Sequence, residues 1–456
     1  MNWVTRGILV SSVVLGIAAP ASVFATNGYF LIGFGAKSRG MGGVGVAYPQ
    51  DGLAAAYNPA GMIGVGSRLD IGIEAFMPER AVYHDSNDFP MDHKSKGDIF
   101  PIPSMGGVSM ISSNMAWGVA VIGAGLGTDY VQEPNKFFNF GGNSTGRVGV
   151  QLMQMQILPS LAYKYDDTHT FGGTVVVAAQ VFQAKGLEAF GQNGSFDYTT
   201  VPEHSTNMGR EYSFGYGVRL GWLGKFLEKK LSVGVNYSSR VFMSEFEEYD
   251  GLFAEHGDFD IPENYAIGFA FKVSPKVNVA LDIQQINYSD IASVGNPGPL
   301  ASDPNQFWPR PECDPLGDYT PCKLGAPGGM GFGWTDQTVY KIGADYKYSE
   351  KTTLRAGYNY GKSPIPEDQV LFNVLAPATV EHHITFGATF ILEPGFLAGM
   401  FGATDAEVSI NYMHAFLNTI KGPTAFPPSG VSVVDGSNAS IAMEQDAIGV
   451  TYGMKF

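Results

Sequence analysis

Period-two alternation runs through most of this chain and leaves few folds open. Ile448, Val450, Tyr452, Met454 and Phe456 fall on one face of a strand; Ala447, Gly449, Thr451, Gly453 and Lys455 fall on the other. Phe214, Tyr216, Val218, Leu220 and Trp222 stand against Gly215, Gly217, Arg219 and Gly221 in the same way. Val277, Val279, Leu281 and Ile283 oppose Asn278, Ala280, Asp282 and Gln284. Tyr340, Ile342, Ala344, Tyr346 and Tyr348 repeat the pattern, as do Leu354, Ala356, Tyr358 and Tyr360. About fourteen such segments are predicted, near 68–78, 103–112, 115–126, 148–165, 169–188, 211–226, 229–247, 260–273, 276–289, 335–348, 351–361, 379–392, 405–418 and 443–456.

The connections narrow the choice further. Those after odd-numbered segments are long: 79–102, 127–147, 189–210, 248–259, 290–334, 362–378 and 419–442. Most of the others are tight, such as Ser113-Asn114, Ser274-Pro275 and Ser349-Glu350. A soluble sandwich gives no reason for that asymmetry. A transmembrane antiparallel β-barrel does, with long outer loops, short periplasmic turns and both termini periplasmic. Tyr288, Tyr346, Tyr348, Tyr358, Tyr360 and Tyr412, at the ends of apolar faces, fit its interfacial aromatic girdles.

Targeting and composition agree with this all-β reading. Residues 1–25 read as a signal peptide: Arg6 supplies the positive region, 7–19 is apolar but too short to span a bilayer, and Val23 and Ala25 sit at the −3 and −1 positions of a small-residue cleavage site. No later run reaches 18 consecutive apolar residues, so membrane-spanning helices are not expected. In hydrocarbon every backbone polar group must be paired, which for an exported chain without such helices leaves the closed barrel. A net charge of −15 argues against nucleic acid, whose phosphates need an excess of Lys and Arg. The 59 glycines in 456 residues are roughly twice the usual share.

Many of those glycines lie in the segment that does not alternate. Residues 26–67 hold eleven glycines, an alanine-rich stretch at 53–57 suited to a short helix after Asp51, and then Asn58-Pro59-Ala60. Phe30, Leu31, Phe34, Met41 and Tyr57 make it too apolar for a solvated tail. A compact plug inside the lumen accounts for both properties, giving a signal peptide at 1–25, a hatch at 26–67 and a barrel at 68–456. This segment, TNGYFLIGFGAKSRGMGGVGVAYPQDGLAAAYNPAGM, resembles the hatch of the FadL-type long-chain fatty acid and hydrocarbon transporters of Gram-negative outer membranes. The resemblance extends to the stretch Gly123-Ala124-Gly125-Leu126-Gly127 in the third strand, where that family has an inward kink, and to the strand count. It implies passive uptake of fatty acids, alkanes or aromatics, with Asn58, Pro59 and Ala60 as a hatch motif and a sideways exit to the bilayer at Gly123, Gly125, Leu126 and Gly127. The family's carboxylate-binding basic residues have no match here.

Other features carry narrower expectations. Phe307 and Trp308, and Leu371, Phe372 and Leu375 within 370–376, are apolar for outer loops and form a candidate capture groove, or else pack together over the barrel mouth. Cys313 and Cys322 share one loop, and an oxidising compartment favours a disulfide between them. Phe456, ending an alternating strand, reads as the signal for the barrel assembly machinery. Gly35-Ala36-Lys37-Ser38 lacks the glycine a phosphate loop needs before its lysine, and His382 and His383 fall on opposite faces of a strand. No cofactor, metal or catalytic residue is expected, and the protein is expected to be monomeric. The competing readings are a general diffusion porin and a membrane-embedded hydrolase.

Overall fold

The computed structural model describes residues 27–84, 91–96, 99–131, 146–191, 198–298, 320–423 and 438–456. Phe307, Trp308 and Cys313 lie outside these. Among the described residues, fourteen long strands close into an antiparallel barrel. They are β1 (Arg68–His84), β2 (Phe100–Ser112), β3 (Met115–Gly127), β4 (Arg147–Lys164), β5 (His169–Lys185), β6 (Glu211–Phe226) and β7 (Leu231–Ser238). The chain continues as β8 (Asn264–Ser274), β9 (Val277–Ile286), β10 (Gln337–Lys347), β11 (Thr352–Gly361), β12 (His382–Leu392), β13 (Asp405–Pro423) and β14 (Asn438–Lys455). Each strand pairs with the next, and β1 closes on β14 from Arg68↔Lys455 to His84↔Ala439. Closure matters because an open edge would leave N–H and C=O groups unpaired in hydrocarbon.

Alternation sorts the side chains as the pleat requires. Phe214, Tyr216 and Leu220 point outward, 64, 71 and 57% exposed, while Arg219 between them is buried in the lumen. Asp70, Glu74, Asp282, Lys341, Asp345 and Glu407 are likewise buried inward. No described helix is long and apolar enough to cross a membrane.

Four expectations need correction. Tyr288 is not a girdle residue; it is fully buried and edge-on to Trp334 at 5.1 Å. The segment expected at 229–247 ends at Ser238, because the Ser239 hydroxyl takes the Val218 N–H at 3.0 Å and the pairing with β6 resumes one residue out of register at Phe242↔Tyr216. β1, β13 and β14 run several residues further than expected at the long-loop end, with a bulge between Ala415 and Asn418. Met454 alternates outward but is buried, covered by Ala398 from the short helix Phe396–Met400 in the β12–β13 connection.

Candidate functional site

Residues 27–67 occupy the lumen, built from short pieces: α1 (Gly35–Arg39), α2 (Ala54–Tyr57), a 3₁₀ turn at Pro59–Gly61 and α3 (Met62–Val65). Helices this short do not hold themselves; the barrel wall holds them. Asp282 Oδ2 accepts the Gly45 and Val46 N–H groups at 2.7 and 3.1 Å, and Asp70 Oδ2 accepts Gly52 N–H at 2.7 Å. Thr385 accepts Gly42 N–H at 2.7 Å, and Lys341 Nζ donates to Ile32 O at 3.0 Å. The Tyr48 hydroxyl donates to Asp345 at 2.5 Å. Buried ion pairs join the two parts: Arg39 with Glu74, its Nε 2.8 Å from Oε2, and Lys37 with Glu407, which also receives Arg68 at 2.5 Å. Burial makes an unpaired charge here costly, so the pairs fix where the hatch sits.

Asn58-Pro59-Ala60 lies where hatch and wall touch most closely. Asn58 Nδ2 donates to Val46 O within the hatch and to Trp222 O on β6, both at 2.9 Å, and its Oδ1 caps the 3₁₀ turn by accepting Ala60 N–H at 3.1 Å. The wall makes room with glycine. A Cβ on Gly221 would stand 2.0 Å from Asn58 Oδ1, and one on Gly172 would stand 2.4 Å from Ala60 N. Within the hatch, burial and the neighbouring Asp70 carboxylate push the Asp51 carboxyl up to about 6, while burial and Arg68 push Lys37 down.

Above the hatch, at the long-loop end, the interior changes character. Tyr29, Phe182, Phe190, Phe246, Phe253, Phe259, Tyr288 and Trp334 form one buried cluster with the 370–376 segment. Phe182 and Phe253 meet edge-on at 4.6 Å, and Phe190 and Phe372 at 5.7 Å. A small, partly open pocket lies inside this cluster between Phe182, Phe190, Phe253, Met330, Phe372 and Leu375. Phe372 and Leu375 line it; Leu371 is buried in the surrounding cluster without lining it. The segment is pinned by Thr128 and Tyr130, whose hydroxyls donate to Leu375 O at 2.9 Å and Val374 O at 3.0 Å. Part of this segment is thus buried in the cluster and part lines the pocket.

Two more cavities flank the hatch. One lies between Phe30, Leu31, Ile32 and Phe34 of the hatch and a polar wall including Gln154, Gln156, Arg219 and Lys341. The other reaches from Leu31 and Phe34 to Ile102, Pro103 and Ser104 of β2. Ile122 and Gly123 of β3 border both.

At that place the wall is not fully laddered. The β2–β3 pairing runs from Ser112↔Met115 only to Met105↔Val121. Beyond it β2 stays paired to β1 as far as Phe76↔Phe100, and β3 stays paired to β4 as far as Gly127↔Gln151. The result is a seam between 100–104 and 122–127. Its top is tied: Arg80 of β1 lies over the Phe100 ring at 5.6 Å and donates to Gly127 O, and Lys96 N–H bonds Asp129 O at 2.7 Å. Gly123, Gly125 and Gly127 therefore line one side of the seam, with Leu126 packed against the outer apolar cluster. β3 itself carries no bulge; the break lies between it and β2.

The sequence did not indicate the wall residues that hold the hatch, since Asp282, Lys341 and Glu407 are hundreds of residues from their partners. It did hold a weaker signal: charged residues at inward positions of strands whose neighbours there are Gly or Ala.

A family model described as outer membrane protein transport protein (OMPP1/FadL/TodX) matches residues 12–397. No curated protein sequence matches the chain. Among solved structures, the Pseudomonas putida toluene transporter TodX superposes with a TM-score of 0.64 at 18% identity, over 93% of this chain and 99% of that one. A Pseudomonas aeruginosa FadL homologue gives 0.64 at 13% identity over 94 and 100%. The Ralstonia pickettii toluene transporter TbuX gives 0.59 at 17% identity over 93 and 99%. These likenesses establish a shared fold, and the family model goes further: this chain belongs to the OMPP1/FadL/TodX family of outer membrane transport proteins.

Proposed function

We propose that this protein is a passive, monomeric channel that takes small hydrophobic compounds (long-chain fatty acids, alkanes or aromatic hydrocarbons) from outside the cell into the outer membrane. The compound partitions into the apolar cavity beside Phe372 and Leu375, passes to the cavities flanking Phe34, and leaves sideways through the seam at Gly123, Gly125, Leu126 and Gly127. The observation that carries this reading is the seam itself, where β2 and β3 part while each stays paired to its other neighbour, set beside a hatch bonded to the wall on several sides. Apolar burial is worth ~0.8 kcal/mol per CH₂, so an alkyl or aromatic compound favours such a path over a water-filled pore. The toluene transporters TodX and TbuX, which share the fold, support an aromatic hydrocarbon as the first substrate to try.

No covalent step is needed, so the reading is of a channel and not an enzyme. Asn58, Pro59 and Ala60 act as the hatch latch, and Phe456 as the signal read by the barrel assembly machinery. Cys322, which is disulfide-bonded, pairs with Cys313 and braces the loop carrying Phe307 and Trp308, which add to the capture groove.

The test is uptake of ¹⁴C-toluene and ¹⁴C-oleate by cells whose own channel is deleted, alongside conductance of the pure protein in planar bilayers. Uptake of at least one probe with negligible ion conductance is expected. Phe372→Ala should weaken capture about tenfold, from the loss of ~1.5 kcal/mol of apolar contact. Large, steady conductance with no preference for apolar solutes would make the protein a general porin instead.

A further inference from the structure

The seam has a cause on the β2 side that the glycines of β3 do not supply. β2 begins Phe100-Pro101-Ile102-Pro103-Ser104, and proline has no N–H to give a ladder. In an antiparallel pair, successive residues direct their N–H and C=O groups alternately to one neighbour and to the other. The β1–β2 ladder runs unbroken through both prolines, pairing Ala75 with Pro101 and Ile73 with Pro103. Its β2 donors must therefore be the even-numbered residues Phe100, Ile102 and Ser104. Met110 keeps the same parity: its N–H reaches toward β1 and bonds Ser67 Oγ at 3.0 Å. The odd-numbered residues, prolines included, consequently face β3.

The register gives this arrangement its consequence. The last β2–β3 pair is Met105↔Val121. Continued by one hydrogen-bonded step the ladder would join Pro103 to Gly123, and by another, Pro101 to Gly125. Each of those pairs would lack the N–H that β2 should donate. The ladder stops at the first place where a donor is missing.

We propose that Pro101 and Pro103 are the residues that hold the seam open, by removing the β2 donors opposite Gly123 and Gly125. The glycines let β3 diverge from its neighbour; the prolines ensure that it gains little by returning. This rests on the reading of the seam as the exit, and it assigns that exit a positioning pair that lies outside the glycine stretch.

Pro101→Val/Pro103→Val restores both donors with a residue that suits either face of a strand. The whole protein in lipid nanodiscs is compared with this variant by amide hydrogen exchange. The Gly123 and Gly125 amides should exchange fast in the parent and at least a hundredfold more slowly in the variant, with the rest of the ladder unchanged. ¹⁴C-toluene uptake should fall at least tenfold. Gly123 and Gly125 amides that exchange equally in parent and variant would overturn the assignment, because the seam would then be open for another reason. A second variant, Pro103→Cys/Gly123→Cys joined by a bifunctional thiol reagent, seals the same gap without a ladder. If sealing leaves toluene uptake unchanged, the sideways exit is wrong, while the exchange result still decides what the prolines do.

Discussion

Asn58 makes three hydrogen bonds from one side chain, two of them to backbone carbonyls, Val46 O in a buried setting and Trp222 O in a half-buried one. Replacing it with alanine should loosen the hatch by about 2–3 kcal/mol, the cost of leaving such groups unpaired. Gly221→Ala should give the same result from the opposite side, since its Cβ would overlap Asn58 Oδ1. In planar bilayers both variants should show ion leak that the parent lacks; a silent Gly221→Ala would mean the wall yields instead. Asp51 offers a pH-dependent counterpart. Its carboxyl titrates at 3.8 when unperturbed and is raised to about 6 in place, so the docked hatch binds the proton more tightly than the free segment does. Docking is then firmest below about pH 4 and weakens as pH rises through about 6, after which the penalty is constant. Exchange protection at 51–57, corrected for intrinsic rates, should fall between pH 4.5 and 6.5 in the parent and stay flat in Asp51→Asn. The helix after Asp51 and the Asn-Pro-Ala motif were legible because their signals are local. Tyr288 was not: an aromatic at a strand end looks the same whether it meets lipid or folds inward onto Trp334.

The strands were the most legible elements, because a two-residue period with one lipid face leaves register no freedom. The exceptions have local causes, such as the Ser239 hydroxyl that replaces a backbone partner and ends β7 early. What no period reveals is which strand fails to pair with its neighbour; that required the parity of Pro101 and Pro103 relative to Gly123 and Gly125, a relation between two strands. The same limit applies to α1, whose sequence Gly-Ala-Lys-Ser-Arg gives no hint that Arg39 and Lys37 will face Glu74 and Glu407 across the lumen. Removing one member of a buried pair leaves the other uncompensated, at about 3–5 kcal/mol. Arg39→Met should therefore unseat α1 and admit ions, and Arg39→Met/Glu74→Met should recover most of the seal. If the double variant leaks as much as the single one, the pair contributes more than charge cancellation.

At the scale of the molecule, near-neutral mean hydropathy conceals two opposite surfaces, an apolar one facing lipid and a charged one facing the hatch. Counting alternating segments was enough to reach the barrel. The division of its interior into an apolar outer chamber and a polar seat below was not legible, because both are lined by inward residues of the same strands. The hatch runs through this interior from one end to the other. Its first described residue, Asn27, accepts a hydrogen bond from Tyr288 near the long loops, and Ser67 lies at the opposite rim, where its carbonyl accepts the Phe456 N–H at 3.1 Å. The wall is completed only when β1 meets β14, joining Arg68 to Lys455 across nearly the whole chain. Contacts so distant in sequence are the slow ones to form. A segment tethered to β1 and bonded on several sides to later strands meets its full set of partners only once those strands stand around it. Closing the wall and seating the hatch thus draw on the same long-range contacts.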